Sequence, residues 1–256
     1  ITDKRKSVDL YRIEGESVME KIIRDELEKN RNIKVLDTDT FDFRCTCCGA
    51  CCRNPEDILL SAYDVMRIQK HLGISFIELL EKYCELYVGR PSGLPIIRIR
   101  PRGEKKICPF LVRNKCEIHE VKPTVCALYP VGRVTKLNKD SGIGEVVYFV
   151  QETDCGAKDV RNNLQEWVRN RITEYDEKCG VLWGEMLRIV HSCISGLEGQ
   201  ISDDTYSYLA QIMYCGYEEA EDFAVEITTR IEQIKTLAEI INGNHTEEAG
   251  NGAVEP

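Results

Sequence analysis

Five of the thirteen cysteines in this 256-residue chain lie within the eight residues from Cys45 to Cys52. An ordinary hydrophobic core does not need cysteine at that density, because close neighbours in a chain cannot all point into one interior. A thiolate, however, is a strong ligand for zinc and for iron–sulfur clusters. The segment therefore predicts the first half of a metal site.

The spacing inside this segment suits metal ligands. Cys45, Cys48 and Cys51 form C-x2-C-x2-C, in which a tight turn can bring the sulfurs to one centre, and Gly49 permits the positive φ that such a turn uses. The side chains of adjacent residues are expected to project apart, so Cys52 is predicted to serve a second centre or the far side of a polynuclear one. Cys47 lies outside this register and is interpreted as a spare thiol.

Further cysteines follow in turn-rich sequence within short motifs, namely Cys108-Pro109-Phe110-Leu111, Cys116-Glu117-Ile118-His119, Lys122-Pro123-Thr124-Val125-Cys126 and Cys155-Gly156. With the C-x2-C-x2-C-C run, these motifs resemble the YkgJ-like cysteine-cluster family of zinc- or iron-chelating domains, over about Phe43 to Gly156. The resemblance implies eight candidate ligands, which are Cys45, Cys48, Cys51, Cys52, Cys108, Cys116, Cys126 and Cys155. The family often has Tyr in place of His119, so His119 is interpreted as a packing or supporting residue rather than a ligand.

Eight thiolates divide naturally into two four-thiolate sites. A run of three cysteines at this spacing is more typical of a cluster loop than of zinc knuckles, and Cys108-Pro109 is similar to the Cys-Pro that closes many ferredoxin ligand sets. These features favour one or two iron–sulfur clusters, of the 4Fe–4S type, with zinc as the alternative.

Basic residues are concentrated next to the cysteines. Residues 98–115 contain seven basic residues and one acidic residue. Nearby cations lower the pKa of a thiol, a role that suits Arg44, Arg53, Lys105, Lys106, Arg113 and Lys115. A solvated strand face is an equal explanation for Arg98, Arg100 and Arg102, and a docking surface for an acidic partner is a third.

Composition excludes several classes of protein. The net charge of −9 argues against a dedicated nucleic-acid binder. No apolar run approaches the roughly 18–20 residues that span a bilayer. The first thirty residues lack an apolar signal core, so we expect a cytoplasmic protein whose clustered cysteines bind metal rather than form disulfides.

Hydrophobic periodicity predicts a mainly α fold with a small β element, in which a cysteine-rich metal-binding core precedes a C-terminal helical lobe. The predicted units are an N-terminal helical extension (1–42), a cysteine-cluster domain (43–156), the helical lobe (157–242) and a disordered tail (243–256). Helices are expected at 16–28, 61–72 and 75–83, with Cys84 on the apolar face of the last, and strands at 96–100 and 145–151. From Val160 the chain is expected to be helical again, with Gly180 at a position where a helix would stop. The remaining cysteines, Cys84, Cys179, Cys193 and Cys215, are interpreted as buried or structural thiols.

The predicted function is that of a metalloprotein in electron transfer, or an accessory or maturation factor of a larger redox assembly. One alternative is a zinc-stapled interaction module, whose helical lobe would bind a protein partner. Another is an enzyme, because flagellin lysine N-methylases contain a similar cysteine cluster, although the sequence shows no methyl-donor motif.

Overall fold

The computed structural model describes residues 35–36, 39–53, 58–90, 92–137, 144–195 and 201–248. The helix predicted at 16–28 lies outside these ranges. Within them, the helices are α1 (Ala62–Leu72), α2 (Phe76–Lys82), α3 (Thr124–Leu128), α4 (Leu164–Arg169), α5 (Glu174–Ile194), α6 (Asp203–Tyr214) and α7 (Phe223–Glu248). None of these helices is long and apolar enough to cross a lipid bilayer.

The strands of the described residues are β1 (Val35–Leu36), β2 (Thr40–Arg44), β3 (Leu59–Leu60), β4 (Cys84–Val88), β5 (Pro95–Ile99), β6 (Leu111–Val112), β7 (Lys115–Cys116), β8 (Val131–Leu137), β9 (Gly144–Gln151) and β10 (Ala157–Asn163). They pair antiparallel in four small sheets, ordered β1-β9-β8, β10-β2, β3-β5-β4 and β6-β7. The helices contain more residues than the strands, which confirms a mainly helical chain with small sheets.

Capping residues fix α1 and α2 where the sequence predicts them. The Ser61 side chain accepts a hydrogen bond from the backbone of Asp64, and the Asp64 carboxylate accepts one from the Ser61 backbone in return. Ser75 and Glu78 form the same reciprocal box at the start of α2. Gly73 ends α1 with a φ of 64°, a left-handed conformation that glycine adopts at little steric cost.

Two strands replace predicted helix. Cys84 was expected on the apolar face of α2, but it begins β4, where it is fully buried and faces Ile99 of β5. Helix was also expected from Val160, whereas residues 157–163 form β10 and pair with β2. In both cases the pairing partner is far away in the sequence, so local periodicity does not reveal it.

The C-terminal helices also differ from their predicted limits. Gly180 was expected to stop a helix, but it lies inside α5, where the Arg133 guanidinium occupies the space that a side chain would need. Helix α7 continues to Glu248, past the start of the tail predicted from residue 243, and residues 249–256 lie outside the described ranges.

Buried side chains form two hydrophobic cores. The first joins α1, α2, β4 and β5 to α5, α6 and α7, so the helices of the predicted C-terminal lobe share a core with residues of the predicted cysteine domain. The second is smaller and consists of Phe41, Phe43, Leu128, Val131, Val150, Trp167, Val168 and Ile172. Cys52, Cys108 and Cys116 pack with the first core, and Cys155 and Tyr129 pack with the second. The cysteines therefore lie where the two cores meet.

Candidate metal centre

All eight predicted ligands, together with Cys47, line one cavity of about 2760 Å³. The cysteines come from the loop after β2, from the segment between β5 and α3, from α3 itself, and from the turn before β10. Cys84, Cys179, Cys193 and Cys215 lie elsewhere among the described residues. The fold thus brings together residues that are up to 110 positions apart in the sequence.

The loop after β2 holds its sulfurs through a tight turn. Gly49 has a φ of 69° and precedes a 3₁₀ turn formed by Ala50–Cys52. The backbone N–H of Ala50 and the hydroxyl of Thr46 donate towards Cys48 and lower its pKa, and the N–H of Gly156 adds to the effect. Backbone amides directed at a sulfur are a feature of cluster-binding loops.

Cys51 and Cys52 do not project apart as expected. Their Sγ atoms are 3.9 Å apart, because the chain here is a 3₁₀ turn rather than an extended strand. The hydrogen bond from Cys52 lowers the pKa of Cys51 to about 6 and raises that of Cys52. The two thiols therefore form one unit that holds a single negative charge near neutral pH.

Cys108 and Cys116 are held beside this loop by backbone contacts. The N–H of Cys108 donates to the carbonyl of Cys52 at 2.8 Å. Burial raises the pKa of Cys108 and of Cys116, whereas the N–H groups of Phe110 and Ile118 lower them in part.

Cys126 is positioned by a buried carboxylate. Asp64 is only 4% exposed, and its Oδ1 accepts hydrogen bonds from the N–H of Thr124 at 3.0 Å and from its hydroxyl at 3.2 Å. These bonds tie the start of α3, and hence Cys126, to the first turn of α1. Burial raises the pKa of Cys126.

Electrostatic interactions connect Cys51 with groups on both sides of the cavity. The Cys51 thiolate raises the pKa of Cys52, Cys108, Cys116 and Cys126 on the side of the first core. It also acts on Cys48 and on Tyr129, on the side of the second core. There, the hydroxyl of Tyr129 contacts the Sγ of Cys155 at 3.6 Å.

The spacing of the donors bears on which metal group they fit. Among the residues that the structure describes, no three Cys, His, Asp or Glu side chains lie close enough to hold one ion. Four thiolates around one zinc ion stand about 3.8 Å apart, since each Zn–S bond is about 2.3 Å. In a cluster each thiolate binds a different iron, so the sulfurs stand farther apart around a larger group. A donor set made of thiols suits zinc as well as an iron–sulfur cluster.

Comparison with known proteins agrees with this donor set. Residues 44–156 match the family described as "CxxCxxCC: Putative zinc- or iron-chelating domain". A protein of Methanocaldococcus jannaschii, named "Uncharacterized protein MJ0661", is 32% identical over 209 residues, which make up 80% of this chain and 87% of the relative. This chain belongs to the CxxCxxCC family. No solved structure matches it.

In this CxxCxxCC protein, two of the predicted cations have other partners. Arg44 forms an ion pair with Asp159 across β2 and β10. Arg53 donates to the carbonyl of Cys48 at 2.7 Å and to Oδ1 of Asn114 at 2.6 Å. Arg53 therefore shapes the backbone of the cysteine loop.

Three residues around the centre were not predicted. The ammonium group of Lys122 lowers the pKa of Cys51 and Cys116. Arg171, whose guanidinium lies 3.0 Å from the ring centre of Trp167, interacts electrostatically with Cys45. The third is Tyr129. Little in the sequence singles out these three residues. Of the three, Lys122 belongs to a cysteine-bearing motif, and the contacts of all three depend on the tertiary fold.

Proposed function

We propose that this CxxCxxCC protein binds two iron–sulfur clusters of the 4Fe–4S type through its eight motif cysteines. The observation that carries the proposal is that all eight line one cavity, with the C-x2-C-x2-C run that is typical of cluster loops at its exposed end. When bound, such clusters supply one-electron redox chemistry.

The thiols divide in a way that follows both spacing and position. Cys45, Cys48 and Cys51 keep the C-x2-C-x2-C spacing of a cluster loop, and Cys155 lies next to Cys48 through Gly156. Cys52, Cys108, Cys116 and Cys126 form the second set, on the side of the first core. The adjacent pair Cys51 and Cys52 would then contribute one sulfur to each cluster.

Two clusters so close together suit electron transfer, or an accessory role in a larger redox assembly of the cytoplasm. A protein that binds such clusters must favour the thiolate form of its cysteine ligands. Lys122, Arg171 and the amides directed at Cys48, Cys108 and Cys116 provide such stabilisation.

Zinc is the second candidate, and one distance favours it. The 3.9 Å between the sulfurs of Cys51 and Cys52 is close to the separation of two thiolates on a single zinc ion. In that case the metal would staple the cysteine loop to the first core, and the C-terminal helices would serve a protein partner.

Metal analysis of protein purified without oxygen tests the proposal. We expect brown protein that contains iron and an equal amount of acid-labile sulfide, with a visible absorption that dithionite bleaches. Colourless protein with stoichiometric zinc would reject the clusters.

Cysteine substitutions test the ligand set. Cys48→Ser and Cys126→Ser should each lose metal, whereas Cys84→Ser and Cys193→Ser should retain the metal content of the parent protein, because neither thiol lines the cavity. Equal losses in all four variants would contradict the assignment.

A further inference from the structure

Exposed cations surround one side of the cysteine cavity. They lie on two turns, Gly103–Lys106 before Cys108, and Arg113–Asn114, which joins β6 to β7. We name Lys105, Lys106, Arg113 and Lys115 the basic rim. All four side chains are exposed, and those of Lys106 and Lys115 also line the cavity.

Two residues of the basic rim occupy backbone conformations that their side chains disfavour. Lys106 has a φ of 45° and Arg113 a φ of 48°, in the left-handed region that glycine and asparagine adopt more readily. Within the part of the chain that the structure describes, neither side chain makes a hydrogen bond or an ion pair. The two-residue turn between β6 and β7 accounts for the φ of Arg113. Since both side chains are exposed and make no such contact there, their charges stay available to an external anionic group.

The basic rim is firmly attached to the cysteine loop. Arg53 connects the carbonyl of Cys48 to the side chain of Asn114, in the second turn. Arg53 also forms a β-bridge with Ile107, directly after the first turn. A molecule bound to the rim is therefore held next to Cys48 and Cys51, at the exposed end of the cavity.

We propose that the basic rim docks a partner protein with an acidic surface that carries a single electron, such as a flavin- or iron–sulfur-containing carrier. The proposal rests on the cluster-binding function proposed above. One electron passes from the reduced carrier to an oxidised cluster, so the carrier is oxidised and the cluster reduced by one electron each. No bond is formed or broken, and no proton is transferred.

The surface around the rim favours a protein over a nucleic acid. Val112 lies beside Arg113 and is 45% exposed, which gives the patch an apolar contact within a polar surround. A duplex binder commonly contacts about 6–10 phosphates, more than this rim can reach. The net charge of −9 would also repel a long polyanion.

Binding of a probe carrier tests the docking surface. The probe is oxidised flavodoxin, an acidic flavin protein, titrated into the full chain at low salt. The variant Lys105→Gln/Arg113→Gln changes the two rim residues that do not line the cavity, and it is compared with Lys70→Gln/Lys178→Gln, which removes the same charge from exposed positions on α1 and α5. We expect the rim variant to raise the Kd for flavodoxin at least about tenfold, and the control variant to raise it less than about threefold. The reason is that electrostatic attraction of the partner depends on the charge near the docking surface. Equal effects of the two variants, or tighter binding of duplex DNA than of flavodoxin, would overturn the proposal.

Electron transfer from reduced flavodoxin, followed by stopped-flow, is the second readout. The rim variant should slow cluster reduction by a similar factor at low salt, with iron and sulfide content equal to the parent protein. High salt should remove most of the difference. Parent protein that contains zinc and no iron would reject the cluster function, whereas iron-loaded protein with unchanged rates in the rim variant would reject only the docking surface.

Discussion

The ionisation of Cys51 and that of Cys52 are linked, because a hydrogen bond joins their sulfurs at 3.9 Å. Stabilisation of the Cys51 thiolate comes first from the hydrogen bond that Cys52 donates, and Lys122 adds to it. Such a pair presents one nucleophilic thiolate and one protonated thiol at neutral pH. In the metal-free chain, this unit is the strongest initial attachment point for a thiophilic ion.

Alkylation of the metal-free protein tests this pair. Because the pKa of Cys51 is about 6, its reaction with iodoacetamide should reach half of its maximal rate near that pH, well below an ordinary thiol. Cys52→Ala should shift the profile of Cys51 to higher pH, since the donor is lost. Peptide mass mapping across pH 5–9 provides the measurement, and an unchanged profile in the variant would contradict the linked ionisation.

Tyr129 is the second residue whose effect can be isolated. Burial raises the pKa of its phenol to about 12, so the hydroxyl stays protonated. In the metal-free chain the Cys155 thiol donates to this hydroxyl, whereas a ligating Cys155 thiolate would have no proton to give and would accept the hydrogen bond from the phenol. Hydrogen bonds to sulfur favour the reduced, more negative cluster. We expect Tyr129→Phe to lower the reduction potential by roughly 40 mV, since a net hydrogen bond is worth about 1 kcal/mol and a tenfold change in a one-electron couple is 59 mV.

Redox titration of the two proteins measures this effect. Iron content should stay the same, because the phenol is not a ligand. Tyr148→Phe is the control, since its hydroxyl donates to Glu177 instead. A loss of iron in Tyr129→Phe would instead assign a structural role to the phenol.

At the scale of elements, two equivalent capping boxes have very different surroundings. The box of α1 is buried, and Asp64 also binds Thr124 and lies 3.4 Å from Arg67. The box of α2 is exposed, and Glu78 pairs only with Lys82 beyond its own cap. The capping box of α1 therefore also connects this helix to the cysteine-bearing helix α3. The capping box of α2 only caps its own helix.

Substitution of each acid separates the two roles. Asp64→Ala should lower the free energy of unfolding by about 1–3 kcal/mol, because it removes the acceptor of the part-buried donors of Ser61 and Thr124, while Arg67 keeps its ion pair with Asp176. Glu78→Ala should have a clearly smaller effect, because water replaces its contacts. Urea unfolding of both variants, followed by circular dichroism, measures the difference, and similar losses would contradict the buried network.

The same contrast shows what the sequence could predict. Ser61, Gly73 and Ser75 act within one helical turn, so their effects are readable locally, and the cysteine motifs predict in a similar way which thiols line the cavity. Strands β4 and β10 depend on partners far away in the chain, and Gly180 depends on Arg133. Lys122, Arg171 and Tyr129 become part of the site only through packing.

At the scale of the whole molecule, one face of helix α7 packs against the first core. Ile231 is 2% exposed, whereas Val225 on the same helix is 65% exposed. Since Cys108 belongs to this core, the packing of the last helix and the position of a candidate ligand are parts of one cooperative structure.

Truncation of these two side chains tests that cooperativity. Ile231→Ala should lower stability by about 2–5 kcal/mol, and Val225→Ala by less than about 0.5 kcal/mol. Each variant is then heated in its metal-loaded form. Within each variant, ellipticity and visible absorption should be lost at the same temperature, even though the two variants unfold at different temperatures. Release of metal well before the helices unfold would show that the cysteine region melts independently.

The cavity opens at the seam between two cores. Beside it, Arg133 of β8 and Tyr148 of β9 cross that seam to contact Glu177 of α5. A metal group bound in the cavity would connect the two cores. Its loss should therefore weaken the contact between them. Amide hydrogen exchange in β8 and β9 should then be faster in the metal-free protein than in the metal-loaded protein.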